Sequence, residues 1–203
     1  MKPKPILFNT NMVQALLDGR KTQTRRVIKF PHNDTDGDIP ERCAINLDGK
    51  YCFYLADAQA PMWRIKPRYQ PGDILYVRET WNNLWHYEDG RVFVYKADDI
   101  EPAPVGKWRP SIHMPYEAAR IFLRVTDVRA ERLQDITEKD AKKEGMLRGE
   151  EDYDCELAKV FPTASIAAFS RLWDSLNAKR GFAWDSNPWV FVYEFERCEK
   201  PQG

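Results

Sequence analysis

The chain has 203 residues, of which 31 are Lys or Arg and 31 are Asp or Glu, so its formal net charge is zero. A chain of this length buries roughly 70 % of its unfolded surface without metal or disulfide staples, and 43 % apolar with 13 % aromatic content excludes a disordered chain. Its apolar runs fall far short of the ~20 residues of a membrane helix, and the basic start lacks an apolar core of signal-peptide length, so the expectation is a cytoplasmic protein without membrane contact.

The zero sum hides a polarity along the chain. Residues 1–30 carry seven bases and one acid, a net +6, whereas residues 131–160 carry ten acids and six bases, a net −4. A nucleic-acid partner therefore stays open, because distribution decides more than the total. Cys43, Cys52, Cys155 and Cys198 form no C-x-x-C pair, which predicts free thiols and no zinc site.

In chain order, residues 5–8 read as a short strand. Met12, Val13, Leu16 and Leu17 make one apolar stripe, predicting a helix over 12–18 with Asn11 as N-cap and Gly19 as its left-handed stop. The β-branched pattern of 21–28 predicts a strand leaving that turn. Residues 31–50 read as a polar loop, with short strands near 51–55 and 63–66. The turn Pro71, Gly72, Asp73 opens a strand over 74–78, and the Asp89, Gly90 pair precedes another over 91–96. Four prolines make 98–118 irregular, and alternation predicts a long half-buried strand over 120–128. Helices follow at about 137–144, stopped by Gly145, and at about 163–178. A last strand carries Trp189, Phe191, Tyr193 and Phe195 at every second residue. Strands without repeated βαβ units, interrupted by three helices, predict an α+β fold built as a small mixed β-barrel. The expectation is a single domain over 1–203, with insertions near 30–70 and 146–162.

The densest polar constellation is Gly19, Arg20, Lys21, Thr22, Gln23, Thr24, Arg25 and Arg26. Arg and Lys neutralise phosphates and supply fixed hydrogen-bond forks. A Thr beside a desolvated Lys can become a nucleophile. The plainer alternative is a basic edge strand whose charge discourages edge pairing. In a regular strand Lys21 and Thr24 point to opposite faces, so a shared site needs Lys21 in the turn before the strand, or a bulge. The Asp34, Asp36, Asp38 run lacks the glycine and glutamate of an EF-hand and reads as an acidic loop. No metal or other cofactor is expected.

The Gly19-Arg20-Lys21-Thr22-x-Thr24-x-Arg26 segment, Pro71-Gly72-Asp73 opening a strand, and the terminal Tyr193-Glu194-Phe195 strand resemble the ASCH domain of the PUA-like superfamily of small β-barrels. Residues 77–81, 111–115 and 187–189 fit the longer phage and prophage members. The resemblance implies a PUA-like barrel with flanking helices and an RNA or nucleoside ligand. Some small members are N4-acetylcytidine amidohydrolases, and their catalytic Lys, Thr and Glu correspond to Lys21, Thr24 and Glu144. In that reading Arg20, Arg25, Arg26, Arg78 and Trp81 hold the nucleic acid or substrate, with Tyr76, Trp85, Trp108 and Tyr116 as further stacking candidates. The alternatives are a non-catalytic RNA-binding module and a ribonuclease.

Overall fold

Aromatic alternation on the last strand sets the architecture. The computed structural model describes residues 2–31, 40–46, 48–86, 90–98, 107–146 and 161–201. Its elements are β1 (Lys4–Leu7), α1 (Thr10–Leu17), β2 (Gln23–Val27), β3 (Arg42–Ile45), β4 (Tyr51–Tyr54), β5 (Trp63–Ile65), β6 (Ile74–Arg78), β7 (Trp81–His86), β8 (Gly90–Tyr95), β9 (Phe122–Arg132), α2 (Glu138–Lys143), α3 (Ala164–Asn177) and β10 (Trp189–Cys198). Five strands form the main sheet in the order β1-β6-β9-β10-β2; only β1 and β6 are parallel, and the other pairs are antiparallel. Successive β10 side chains point to opposite faces. Trp189, Phe191, Tyr193 and Phe195 enter one core with Phe8, Leu16, Tyr69 and Leu75. Val190 and Val192 enter a second, under α2 and α3, with Ala141, Phe169 and Trp173.

The fold is thus mixed α+β, as expected, but the sheet does not close. Among the described residues β1 and β2 remain its two edges, where a closed barrel was expected. They nevertheless face each other, because Arg26 on β2 donates from Nη2 to the Leu7 carbonyl on β1 at 3.0 Å. A side chain spans the gap that a strand ladder would fill. Among the described residues no helix is long and apolar enough to cross a membrane.

The short strands expected near 51–55 and 63–66 form and contribute to the main core. Strands β3, β4 and β5 form their own antiparallel sheet, and Tyr51, Phe53 and Trp63 pack into the core beneath β10. The strand β3 escapes sequence reading because three of its four side chains are exposed, which leaves no apolar alternation. The Asp34, Asp36, Asp38 run and most of the expected insertion at 146–162 lie outside the described residues.

Two turns carry the later argument. Helix α1 starts two residues earlier than expected, on Asn9, whose side chain accepts from the Met12 amide at 2.9 Å. It ends as expected at Gly19, with φ +74°. The chain then folds back, so that the Lys21 amide donates to the Ala15 carbonyl at 2.9 Å. Helix α2 is capped by Thr137 and Asp140 reciprocally and stopped by Gly145, with φ +94°. A Cβ on Gly145 would stand 2.8 Å from Ala15 Cβ and 3.3 Å from Lys21 Cβ. Both neighbours are backbone-anchored atoms that move only with their elements.

Gly145→Ala therefore combines a left-handed penalty with overpacking. It is expected to lower unfolding stability by about 2–4 kcal/mol, measured as a reduced denaturant midpoint at unchanged slope. Gly49→Ala, at φ +68° with nothing within 4 Å, serves as the control for the φ cost alone.

Candidate functional site

Pairing with β10 sorts the basic segment into two faces. Residues directly opposite in an antiparallel pair share a face. Thr24 lies opposite Tyr193 and Arg26 opposite Phe191, so both sit on the β1 and α1 side. Arg25 lies opposite Val192, so it sits on the α2 and α3 side. Neighbours in sequence thus enter different environments.

Lys21 precedes β2, in the turn, and forms an isolated antiparallel bridge with Glu144. This meets the geometric condition for Lys21 and Thr24 to share a neighbourhood. Lys21 Nζ donates to Glu144 Oε2 at 2.7 Å and to the Glu144 carbonyl at 2.9 Å. The next amide, of Thr22, donates to the Lys143 carbonyl at 2.8 Å. Lys21 and Glu144 are only 2 % and 3 % exposed. Burial pulls the Lys21 ammonium below its usual range against the opposing pull of Glu144, and the nearby charges of Arg26 and Arg25 add to the fall.

The second oxygen of Glu144 receives Arg25 Nη1 at 3.2 Å. The Arg25 guanidinium also reaches Glu131 at 2.5 Å and Asp140 at 3.7 Å, and lies over the Phe169 ring. Around it Arg129 pairs with Glu131, Asp140 and Glu194, and Lys143 pairs with Glu194. Gln23, its amide nitrogen facing the carboxylates, donates to Asp140 at 3.0 Å and Glu194 at 3.3 Å. Arg25 is therefore an internal counter-ion that fastens α2 to the sheet, and it also borders the cleft that Arg26 lines.

Arg26 has the opposite fate. Its hydrogen bonds go to neutral oxygens: the Thr24 hydroxyl at 3.1 Å, the Arg25 carbonyl at 3.2 Å and the Leu7 carbonyl at 3.0 Å. The Phe8 ring lies 5.4 Å from both Arg26 Cζ and Lys21 Nζ. Thr24 is 1 % exposed, with Arg26 as its hydroxyl's hydrogen-bond partner. The hydroxyl makes no hydrogen bond to Lys21.

Arg26 lines a cleft of about 490 Å³ between β1, β2 and the end of α3. Lys29, Arg68 and Arg180 line the same cleft, and all three are solvent-exposed. Among the described residues these three cations have no carboxylate partner, and no Asp or Glu lines the cleft. Burial lowers the Arg26 guanidinium against the pull of Glu144, and the Arg180 charge is close enough to add to the fall. A second basin of about 280 Å³ adjoins the first, sharing Arg26, Lys29 and Arg68 and adding Lys66.

The structure does not bring the remaining expected residues to this cleft. Arg20 donates to Asp18 and to the Gly145 carbonyl, on the rim of a separate cavity of about 470 Å³ that Glu144 also borders. Arg78 donates to the Met114 and Ile112 carbonyls, holding the proline-rich segment in place. Trp81 is buried with Met114, Ala118 and Phe122 in a small satellite core. Tyr76 and Tyr116 pack edge to face on each other at 5.0 Å, and Trp108 lines neither basin. The side chain of Trp85 lies outside the described residues. Aromatic identity alone cannot distinguish a packed ring from a stacking platform. Sequence reasoning missed Lys29, Lys66, Arg68 and Arg180. Their signal is that no acid lines these basins among the described residues, which is visible in space and not along the chain.

Burial pushes the Cys43 thiol up to about 12, so it stays protonated and unreactive at neutral pH. Cys43, Cys52 and Cys198 are free thiols. Among the described residues no group of three or more His, Cys, Asp or Glu is arranged to hold a metal ion. Compared with protein-family models, curated proteins and solved structures, the chain finds no match.

Burial pushes the Asp140 carboxyl up, but the Thr137 hydroxyl and the Arg25 and Arg129 charges outweigh it and hold the group below its ordinary value. Glu194 is held low in the same way by Lys143 and Arg129, against its own burial. Depressed carboxyls stabilise the fold above their unfolded pKa and lose that contribution as pH falls through their folded pKa. Asp140→Asn with Glu194→Gln is expected to cost about 2–4 kcal/mol at neutral pH. The gap to the parent protein should close below roughly pH 4, as read from paired denaturant curves across pH.

Proposed function

We propose that the protein binds a phosphate-bearing nucleobase ligand, RNA or a nucleotide, in the cleft between β1 and β2. The observation that carries this reading is the convergence of Arg26, Lys29, Arg68 and Arg180 on one concavity that no carboxylate lines among the described residues. Clustered cations repel one another, and a bound polyanion converts that repulsion into affinity. Arg26 already offers its fork to neutral oxygens, which a phosphate outcompetes through charge-assisted hydrogen bonds. Leu7 and Leu176, 37 % and 43 % exposed, supply apolar wall beside the cations. Such a wall suits a base and serves no purpose toward a simple anion. The resemblance of residues 19–26 to ASCH domains points to the same ligand class. It also supports a PUA-like ancestry, with the barrel left open at the ligand cleft, and a cytoplasmic setting.

Fluorescence anisotropy of a labelled single-stranded RNA, titrated at several salt concentrations, tests this. The slope of log K on log salt is expected near −2 to −3, at about −0.7 per neutralised phosphate. Arg68→Glu with Arg180→Glu should weaken binding at least tenfold at low salt. Salt-independent binding, or no change in the double variant, would overturn the assignment.

A second reading is amide hydrolysis of an N4-acylated cytosine, and the Lys21–Glu144 contact at 2.7 Å supports it. The Thr24 hydroxyl would attack the acyl carbon while Lys21, as the free amine, takes its proton. The C–N bond then breaks, the cytosine amine leaves with that proton, and water hydrolyses the Thr24 ester to release acetate. Burial helps by lowering the Lys21 ammonium. The condition is that Arg26 leaves Thr24, because the hydroxyl sits behind it. Incubation with N4-acetylcytidine should then yield cytidine, and Thr24→Ala should abolish release in a protein of unchanged circular dichroism. Absence of cytidine from the parent protein leaves binding as the function.

A further inference from the structure

The cleft does not end at Arg68. A second basin adjoins the first at Arg26, Lys29 and Arg68, so together the two line a groove beside β2. The far end is walled by Ile65 and Lys66, the residues that leave β5, and Lys66 is exposed. The near end is set by Arg180, in the turn that follows α3.

Arg180 borders only the first basin, Arg26, Lys29 and Arg68 border both, and Lys66 borders only the second. Among the described residues Lys66 has no carboxylate partner, and no acid lines the second basin either. A mononucleotide would occupy the first basin and leave Lys66 without a counter-charge.

We propose that the groove holds a single strand of nucleic acid several nucleotides long, its phosphates tracking from Arg180 past Arg26 to Lys66. The proposal rests on the phosphate-ligand reading of the first basin and extends it to a polynucleotide. A single strand suits a concave, narrow track, whereas a duplex is read by an element that projects into its groove. The exposed Leu7 and Leu176 border the first basin, where an unstacked base would rest.

The test uses the full chain with labelled oligonucleotides of two, four, eight and twelve nucleotides, as RNA and as DNA, and a nucleoside triphosphate as mononucleotide probe. Affinity is expected to rise at least tenfold from the mononucleotide to the octamer and then level off. Lys66→Glu should weaken octamer binding at least fivefold and leave the triphosphate unchanged. Arg180→Glu should weaken both. Both side chains are exposed, so the variants are expected to fold, with unchanged melting temperature as the control. The RNA and DNA arms identify which strand is preferred. Equal affinity for triphosphate and octamer, insensitivity of the octamer to Lys66→Glu, or equal binding of poly-glutamate would overturn the extended track while leaving the first basin as a phosphate site. Failure of every phosphate probe to bind would overturn the first-basin reading and the track together.

Discussion

Everything at this site depends on one buried contact, the Lys21 ammonium against the Glu144 carboxylate. Removing two charges from water costs several kcal/mol per ion, and the attraction compensates only when each charge has further partners. Both have them here. Lys21 adds the Glu144 carbonyl, and Glu144 adds Arg25, which in turn holds Glu131. The contact joins two turns, the Gly19 stop of α1 and the Gly145 stop of α2, and Gly145 must stay bare for the turns to meet. With those turns locked together, β2 enters the sheet in one register. That register decides that the Arg25 guanidinium meets the α2 carboxylates while the Arg26 guanidinium meets Thr24 and Leu7.

Strand periodicity thus does what composition cannot. A one-residue slip of β2 would exchange the two arginines, placing a guanidinium in the cleft position without Thr24 and Leu7 as partners. The slip would also turn Gln23 away from Asp140 and Glu194. The charged network on the α2 face therefore acts as a register lock for the cleft face. A purely apolar contact would stabilise α2 as well, but it would discriminate less between registers.

Much of this frame is legible along the chain, for stated physical reasons. The β10 aromatics read as core because period-two alternation admits no other use. The ends of α1 and α2 read from Gly19 and Gly145 because each requires positive φ. Strand β6 reads from the Pro71, Gly72, Asp73 turn ahead of it. Lys21 stands in the turn before β2 and not in the strand, a boundary that propensity does not resolve. Glu144 stands out only through its resemblance to a known helix; by composition it is one acid among many near the end of α2. Arg78 and Trp81 look available in sequence. In space the first is consumed by backbone carbonyls and the second by packing.

Net charge is the last property that changes meaning between chain and fold. The basic first thirty residues and the acidic stretch after residue 130 look like two poles, yet folding overlays them. Glu131, Asp140 and Glu144 neutralise Lys21 and Arg25, while Asp73 takes Lys4 and Asp18 takes Arg20. Among the described residues Lys2, Arg26 and Lys29 are left without a carboxylate ion pair, and the chain adds Lys66, Arg68 and Arg180 beside the last two from two distant segments. A protein of zero net charge can therefore present a cation-lined cleft, because the carboxylates beside β2 pair with Lys21 and Arg25. Burial of one arginine with its carboxylates leaves its neighbour, Arg26, hydrogen-bonded to neutral oxygens alone.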